Sequence, residues 1–380
     1  MVYQLLYSLF QNFIRLIYRV CKPFIKAEYV IIAGMQAKYF SGNNQYLFDY
    51  LDDKKVNFKF YFFTKDKKEY NRLKSKYPNK ILYAFQFRAM VKLFKAKILI
   101  TTTGSDDFSP YPLFEKMGII NIWHGMPIKK LGEPKTDIIA KKLKIFIDSL
   151  NYFCVSSEFD GNHISKAFNI EKERIAITGI AKNDFINYSY SNTLKKNSYL
   201  NNKVILYAPT FREKGITQLS FDKLVDITKL NTLLEKYNAY FLYRSHFNTE
   251  ESKVVDGYKR IMAASSNEFP DPQPLLFYSD ILITDYSGIY FDYLLMNRPI
   301  IFYNYDYDDY LIERGFQFDF NENTPGPKVN NQSDLLNAIE EYLINPDKDK
   351  GFREEIKKKF HKYEDGKACE RTYELIKSLM

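Results

Sequence analysis

Four histidines carry most of the acid–base chemistry that this sequence offers: His124, His163, His246 and His361. His124 and His246 each sit just past an apolar run that predicts a strand. His124 belongs to Trp123-His124-Gly125-Met126-Pro127, where Gly125 permits close backbone approach or a positive φ and Pro127 fixes the exit. An imidazole accepts a proton near neutral pH, so His124 reads as a general base. The plain alternative is a strand-end histidine bonded to backbone. Lys129 and Lys130 follow it and could attract phosphate.

Arg244 and His246, in Tyr240-Phe-Leu-Tyr-Arg-Ser-His246, are two donors suited to a phosphate oxygen, or else one half of a surface ion pair. Asp280 to Pro299 reads as strand, turn and helix, with Asp285 before the turn and Ser287 and Gly288 at the helix N-terminus. Free N–H groups and the helix dipole there favour a phosphate. Gly288 would remove the side chain that blocks its approach, and the bland reading is a serine N-cap. Thr210 and Arg212 project beyond the run Val204–Pro209, as a ligand loop or a simple turn. No metal site is predicted. No DxD ends a strand, and the acidic Tyr305–Tyr310 segment has no neighbouring His or Cys and reads as a solvated loop. P-loop, GxSxG, zinc and nucleic-acid signatures are absent.

These residues need a scaffold. Runs rich in Val, Ile, Tyr and Phe recur at 29–33, 58–63, 81–85, 98–102, 119–123, 152–155 and 175–178, with helical patterns between them. Few alternate strictly, which predicts strands covered on both faces. A polar stretch, Asn187–Lys203, marks a boundary. A second series follows at 204–208, 240–244, 281–284 and 299–303. The expectation is two open α/β domains, 27–190 and 191–380, with ligands beyond the carboxyl ends of their strands. Residues 1–26 carry apolar side chains at helical spacing and no acid, with Arg15, Arg19, Lys22 and Lys26 toward the end. Polar interruptions make a spanning helix unfavourable, and no cleavage site suggests a signal peptide. The segment predicts an amphipathic helix in the membrane interface, or one packed on the protein's own core. A net charge of +9 favours anionic partners without choosing among them. Cys21, Cys154 and Cys369 are too widely spaced for a metal or disulfide pattern, and Cys154 reads as a buried thiol.

Nine stretches in order resemble the CDP-glycerol glycerophosphotransferase family, the teichoic-acid primases and polymerases. They are WHG-x-P-x-KK-x-G at 123–132, VSSEFD at 155–160, TG-x-x-KND at 178–184, LYAPTFRE at 206–213 and TDYSG-x-x-FDY at 284–293. RPIIFYNYD at 298–306, RGFQFDF at 314–320, PGP at 325–327 and DGKACER at 365–371 complete the set. The resemblance implies a GT-B fold of two Rossmann-like domains facing a cleft, with acceptor-side and CDP-donor-binding halves. It implies transfer of a polyol phosphate from CDP-glycerol or CDP-ribitol, with release of CMP and no cofactor or metal. By motif, His124 would be the base and His246 would bind the donor pyrophosphate or steady the leaving phosphate. Asp285, Ser287 and Gly288 would hold the donor diphosphate and its surroundings, with Arg244, Thr210 and Arg212 as further donor-site candidates. The implied partners are the CDP-polyol, a lipid-linked glycan or teichoic-acid acceptor and an anionic membrane surface, on the cytoplasmic face, with no nucleic acid. A homo-oligomer stays open. The sequence departs from the family at His246-Phe247, where His-Pro is common, at Gly288, where Ser is common, and at Met126, where Thr is common. No large extra domain is recognised, which points toward a primase or single-addition enzyme. A nucleotide-sugar glycosyltransferase of GT-B type and a non-catalytic membrane-surface nucleotide-binding protein are the competing readings.

Overall fold

The computed structural model describes residues 2–112, 117–131, 136–187, 202–210, 221–244, 257–265 and 269–380. The chain divides into two units. Unit 1 is Met1–His124, Glu133–Asp184 and Asp365–Met380; unit 2 is Gly125–Gly132 and Phe185–Glu364.

Unit 1 is built on β1 (Tyr29–Ile32), β2 (Lys59–Thr64), β3 (Ile81–Tyr83), β4 (Ala96–Thr101), β5 (Gly118–Asn121), β6 (Tyr152–Val155) and β7 (Ile175–Ile177). They pair in the order β3-β2-β1-β4-β5-β6-β7, every pair parallel. Parallel strands are joined through crossovers that cover the sheet faces, so the strands carry near-continuous apolar runs. β1 is buried at all four positions. Phe40, Phe48, Phe62 and Tyr77 interlock edge-on or tilted, with ring centroids 4.8 Å apart for Phe40–Phe62 and 5.1 Å for Phe48–Tyr77. Fully burying one such ring stabilises by about 1.5–3 kcal/mol.

Unit 2 holds β8 (Lys203–Tyr207), β9 (Ala239–Tyr243), β10 (Ile261–Ala263), β11 (Ile281–Thr284), β12 (Ile300–Tyr303) and β13 (Lys328–Val329). Their order is β10-β9-β8-β11-β12-β13, again all parallel. Ile205, Phe241, Ile283 and Ile301 share one buried cluster. Arg353 is fully buried and survives there because its guanidinium is spent: Nη1 donates to Lys348 O at 2.6 Å, Nη2 to Pro346 O at 3.0 Å and Nε to Asn297 Oδ1 at 3.3 Å.

Three expectations change. The edge strands β10 and β13 were not predicted. Residues 365–380, expected with the second domain, pack in unit 1, because Asp184 accepts from the N–H groups of Ala368 at 2.8 Å and Cys369 at 2.7 Å. The acidic Tyr305–Tyr310 segment is not a solvated loop. A helix spans Tyr307–Glu313, Tyr310 is buried with its ring 3.8 Å from that of Tyr286, and Asp306 accepts from the Tyr286 hydroxyl. The aromatic spacing, not the acids, decides that packing.

The N-terminal residues form a helix, Val2–Cys21. Ile14 and Tyr18 are buried in unit 1, with Tyr18 edge-on to Phe94 at 5.4 Å, and the Tyr7 hydroxyl lies 3.2 Å from Ser109 Oγ. Leu9, Phe10, Phe13, Leu16 and Val20 are exposed. Among the described residues no helix is long and apolar enough to cross a membrane.

Candidate active site

In each sheet the chain leaves the two central strands in opposite directions, and such a switch point is where open α/β sheets bind ligands. In unit 1 it falls between β1 and β4, in unit 2 between β8 and β11. Of the sequence-predicted residues, His124 lies by the first, and Thr210, Asp285, Ser287 and Gly288 by the second.

His124 follows β5 and is exposed. Its Nδ1 lies 3.2 Å from the carbonyl oxygen of Thr102, at the end of β4. A carbonyl only accepts, so Nδ1 carries the proton and the neutral ring holds its lone pair on Nε2. That is the tautomer a general base needs, fixed by backbone. The preceding Trp123 adopts φ 50°, an outlier for a bulky residue that costs about 1–3 kcal/mol. Its backbone is held on both sides: Trp123 N donates to Asn121 Oδ1 at 2.7 Å, and Asn43 Nδ2 donates to the carbonyls of Ile122 and Trp123, each at 2.9 Å. The indole packs 5.1 Å from Phe153 and 4.2 Å from the His124 ring.

Thr102 also anchors the end of β1. Met35, Gln36 and Ala37 have φ of 50°, 57° and 59°, three left-handed residues in succession without a glycine among them. Each costs about 1–2 kcal/mol for an L-residue. Met35 N donates to Thr102 Oγ1 at 3.0 Å and Gln36 N to Asp107 Oδ1 at 2.7 Å. Asp107, fully buried, also accepts from Thr102 N at 2.8 Å, Thr103 N at 2.9 Å and the Thr103 hydroxyl. Gly34 has no room for a Cβ against Asn44 and Thr102. None of Gly34–Ala37, Thr102, Asp107, Asn43 or Asn121 was singled out from sequence. Two polar residues closing apolar strands, Asn121 and Thr102, were the available signal.

In unit 2, Asp285 spans the switch point. Its Oδ1 accepts from Thr210 N at 2.8 Å, Thr210 Oγ1 at 2.6 Å and Tyr286 N at 2.6 Å. It therefore latches the loop after β8 to the loop after β11. Ser287 does not cap the following helix, Ile289–Leu294; Gly288 occupies the cap, and Ser287 Oγ accepts from Ile289 N at 3.3 Å. A Cβ on Gly288 would meet the Met126 carbonyl oxygen at 2.5 Å, so backbone, and not only a ligand, demands glycine here. Arg244 follows β9 and donates through Nη1 to Phe269 O at 2.8 Å. Burial pulls its guanidinium down to about 10, against the charge of Asp271. His246 and Arg212 lie outside the described residues.

Several motifs prove to be joints. Residues 125–131 form a strap in unit 2: Lys129 bridges Phe316, Lys130 N donates to Gly315 O at 3.1 Å, Gln317 N to Ile128 O at 2.8 Å, and Leu131 N to Gln317 Oε1 at 3.0 Å. The RGFQFDF stretch thus grips the strap, leaving the Lys129 and Lys130 side chains exposed. In VSSEFD, Ser157 caps a helix through Asp160 N at 3.2 Å and Asp160 returns to Ser156 N at 3.0 Å; burial lifts this carboxyl to about 6. Cys154 is buried, which pushes its thiol up to about 12.

Residues 14–378 match the family described as CDP-glycerol:poly(glycerophosphate) glycerophosphotransferase. The teichoic acid ribitol-phosphate polymerase TarK of Staphylococcus aureus is 30% identical over 358 residues, 89% of this chain and 66% of its own length. The teichoic acid glycerol-phosphate transferase of the same species is 28% identical over 335 residues, 82% of this chain and 83% of its own. A structure of the wall teichoic acid polymerase TagF has a TM-score of 0.79 at 23% identity, over 97% of this chain and 94% of that one, a likeness that speaks for the fold. The chain spans 49% to 66% of the first three curated relatives it matches.

Proposed function

This chain belongs to the CDP-glycerol:poly(glycerophosphate) glycerophosphotransferase family, and on that premise we propose that it transfers glycerol phosphate, or another polyol phosphate, from a CDP-polyol to a hydroxyl of a membrane-linked glycan or teichoic-acid acceptor. In this reading Nε2 of His124 takes the proton of the acceptor hydroxyl. The acceptor oxygen forms a bond to the polyol-bearing phosphorus, the bond from that phosphorus to the bridging oxygen breaks, and CMP leaves. The donor diphosphate sits at the ends of β8 and β11, beside Thr210, Ser287 and the loop that Asp285 latches. Arg244, Arg212 and His246 are the cationic or donor groups assigned to it. No metal or cofactor is invoked; protein cations and backbone N–H groups would balance the developing charge. The two parallel sheets support a GT-B fold type. The exposed apolar side chains of the N-terminal helix, with Arg15, Arg19, Lys22 and Lys26, support a peripheral position on an anionic membrane, assigned to the cytoplasmic face.

The observation that carries the reading is the exposed His124 imidazole with its tautomer set by the Thr102 carbonyl. The test incubates the protein with CDP-glycerol or CDP-ribitol and candidate lipid-linked acceptors and measures CMP. Acceptor-dependent CMP release is expected with one donor. His124→Ala should lower kcat by about 10²–10⁴ with donor affinity retained; turnover near wild type in that variant would remove His124 as the base.

A further inference from the structure

Trp123 is a bulky residue at φ 50°, and the two peptide planes that flank it show what holds it there. The torsions of a residue are the rotation between the peptide before it and the peptide after it. The peptide between Ile122 and Trp123 is held at both ends. Its N–H donates to Asn121 Oδ1 at 2.7 Å, and its carbonyl accepts from Asn43 Nδ2 at 2.9 Å. The peptide between Trp123 and His124 is held by the same nitrogen, its carbonyl accepting from Asn43 Nδ2 at 2.9 Å. One carboxamide thus grips both planes and sets the angle between them. The indole N–H makes no hydrogen bond, so the polar grip on Trp123 acts through its backbone. Asn43 is the first residue of the helix Asn43–Asp53, which has no side-chain cap; its side chain turns away to this joint instead. The residue is buried, and its Oδ1 accepts from Lys182 N at 3.0 Å. The carboxamide faces this way because the two carbonyls need a donor and the Lys182 N–H needs an acceptor. All three bonds lie within unit 1, and they join the start of that helix, the WHG turn and the TG-x-x-KND segment.

We propose that Asn43 is a positioning residue for the base: it holds Trp123 left-handed, so that His124, the next residue, sets Nδ1 against the Thr102 carbonyl and keeps its lone pair on Nε2. A left-handed bulky residue persists only where its surroundings impose that conformation. Without the Asn43 grip the two planes are released, and Trp123 relaxes toward negative φ. The His124 Cα is carried along, and the 3.2 Å contact from Nδ1 to Thr102 O is lost. The imidazole then has no fixed tautomer, and its basic nitrogen is no longer aimed. Release of the Trp123 strain offsets part of the lost hydrogen bonding, so the change costs alignment more than fold. The effect on rate rests on the transfer reading; the positioning of the ring does not.

The test is Asn43→Asp, which keeps the shape of the side chain and the bond from Lys182 N but sets an acceptor oxygen against two carbonyls. At neutral pH kcat should fall about 10²-fold at unchanged KM for the CDP-polyol, the order that an ångström of misplacement costs. Burial raises the pKa of the new carboxyl, and its protonated form donates to one of the carbonyls. The ratio of wild-type to variant kcat should therefore narrow as pH falls from about 8 to 6; an asparagine with a merely structural role would leave that ratio constant. Independently of turnover, the ring-nitrogen NMR shifts of His124, identified by their loss in His124→Gln, should show the Nδ1-protonated tautomer in the wild type and a mixture of tautomers in Asn43→Asp. Where Asn43→Asp does not fold, Asn43→Ser, whose hydroxyl offers one donor for two carbonyls, is read by the same shifts and by kcat. A folded variant whose ring shifts or kcat match the wild type overturns the proposal, and so does a fixed kcat ratio for Asn43→Asp across that pH range. Ring shifts that change in the variant as expected, without CMP release from any donor by the wild type, would sink the transfer reading and leave the positioning role standing.

Discussion

Replacing Gly288 by alanine separates two roles for one glycine. A Cβ there meets the Met126 carbonyl oxygen at 2.5 Å. Carbon and oxygen settle at about 3.3–3.6 Å, so roughly 1 Å must be found. The φ of −63° is ordinary, and backbone strain adds nothing. Met126 cannot simply swing aside, because the strap that follows it is fastened by the Lys129–Phe316 bridge and by hydrogen bonds from Lys130, Gln317 and Leu131. On the other side, Tyr290, Phe291 and Tyr293 are buried and fix the helix. Either set must give. Overpacking of this kind costs about 1–3 kcal/mol. Gly288→Ala should lower the unfolding free energy by that amount, read as a lower urea midpoint of the circular-dichroism transition at unchanged slope. A midpoint equal to wild type, combined with weakened CDP-glycerol affinity, would refute the steric argument and return Gly288 to the role of clearing a path for phosphate.

Thr210→Val removes the 2.6 Å hydrogen bond to Asp285 while keeping the shape of the side chain. A bond to an ionised acceptor is worth about 1.5–3 kcal/mol, so stability should fall by that order and donor KM should rise; Thr210→Ser should restore both, and an unperturbed Thr210→Val enzyme would discard the latch. His361 is buried with Nε2 2.7 Å from Phe291 O, and burial lowers its pKa below the usual 6.5 against the pull of Phe291, Asp292 and Glu364, with Lys357 adding to the lowering. The unfolded chain binds a proton that the folded chain refuses. The contribution is therefore intact above the unfolded value and is lost as pH falls below it. His361→Gln, which keeps an N–H donor, should flatten the decline in stability as pH falls below about 6.5; parallel curves for the two proteins would contradict this. Phe13 and Leu16 are exposed on the N-terminal helix, and Phe13→Ser with Leu16→Ser should release the protein from anionic vesicles without changing its melting point. Unaltered sedimentation would mean that another surface makes the contact.

Both sheets were largely legible because strands such as Tyr29–Ile32 and Ile281–Thr284 are buried on both faces and so are apolar throughout. β10 and β13 were not, since three and two residues at a sheet edge carry too little pattern. His124 was legible as a chemical type at a strand end. The turn beside it was not: Met35, Gln36 and Ala37 are poor left-handed residues, and only distant hydrogen bonds to Thr102 and Asp107 impose that conformation. Ordered motifs identified the family correctly, and several of them serve the scaffold. RGFQFDF and VSSEFD hold backbone in place, and DGKACER lies against the TG-x-x-KND segment through bonds linking residues 184 positions apart. No local pattern encodes such a pairing.

That long-range closure reverses the order in which the two units are completed during synthesis. At about 5–20 residues per second, the ribosome needs about 10–40 s to travel from Asp184 to Ala368. Throughout that interval the Asp184 carboxylate lacks the two N–H donors it will later accept. Phe58 lacks the Tyr373 ring that stacks on it 6.1 Å away. Unit 1 therefore stays unfinished, while unit 2, whose last residue is Glu364, has all of its sequence first.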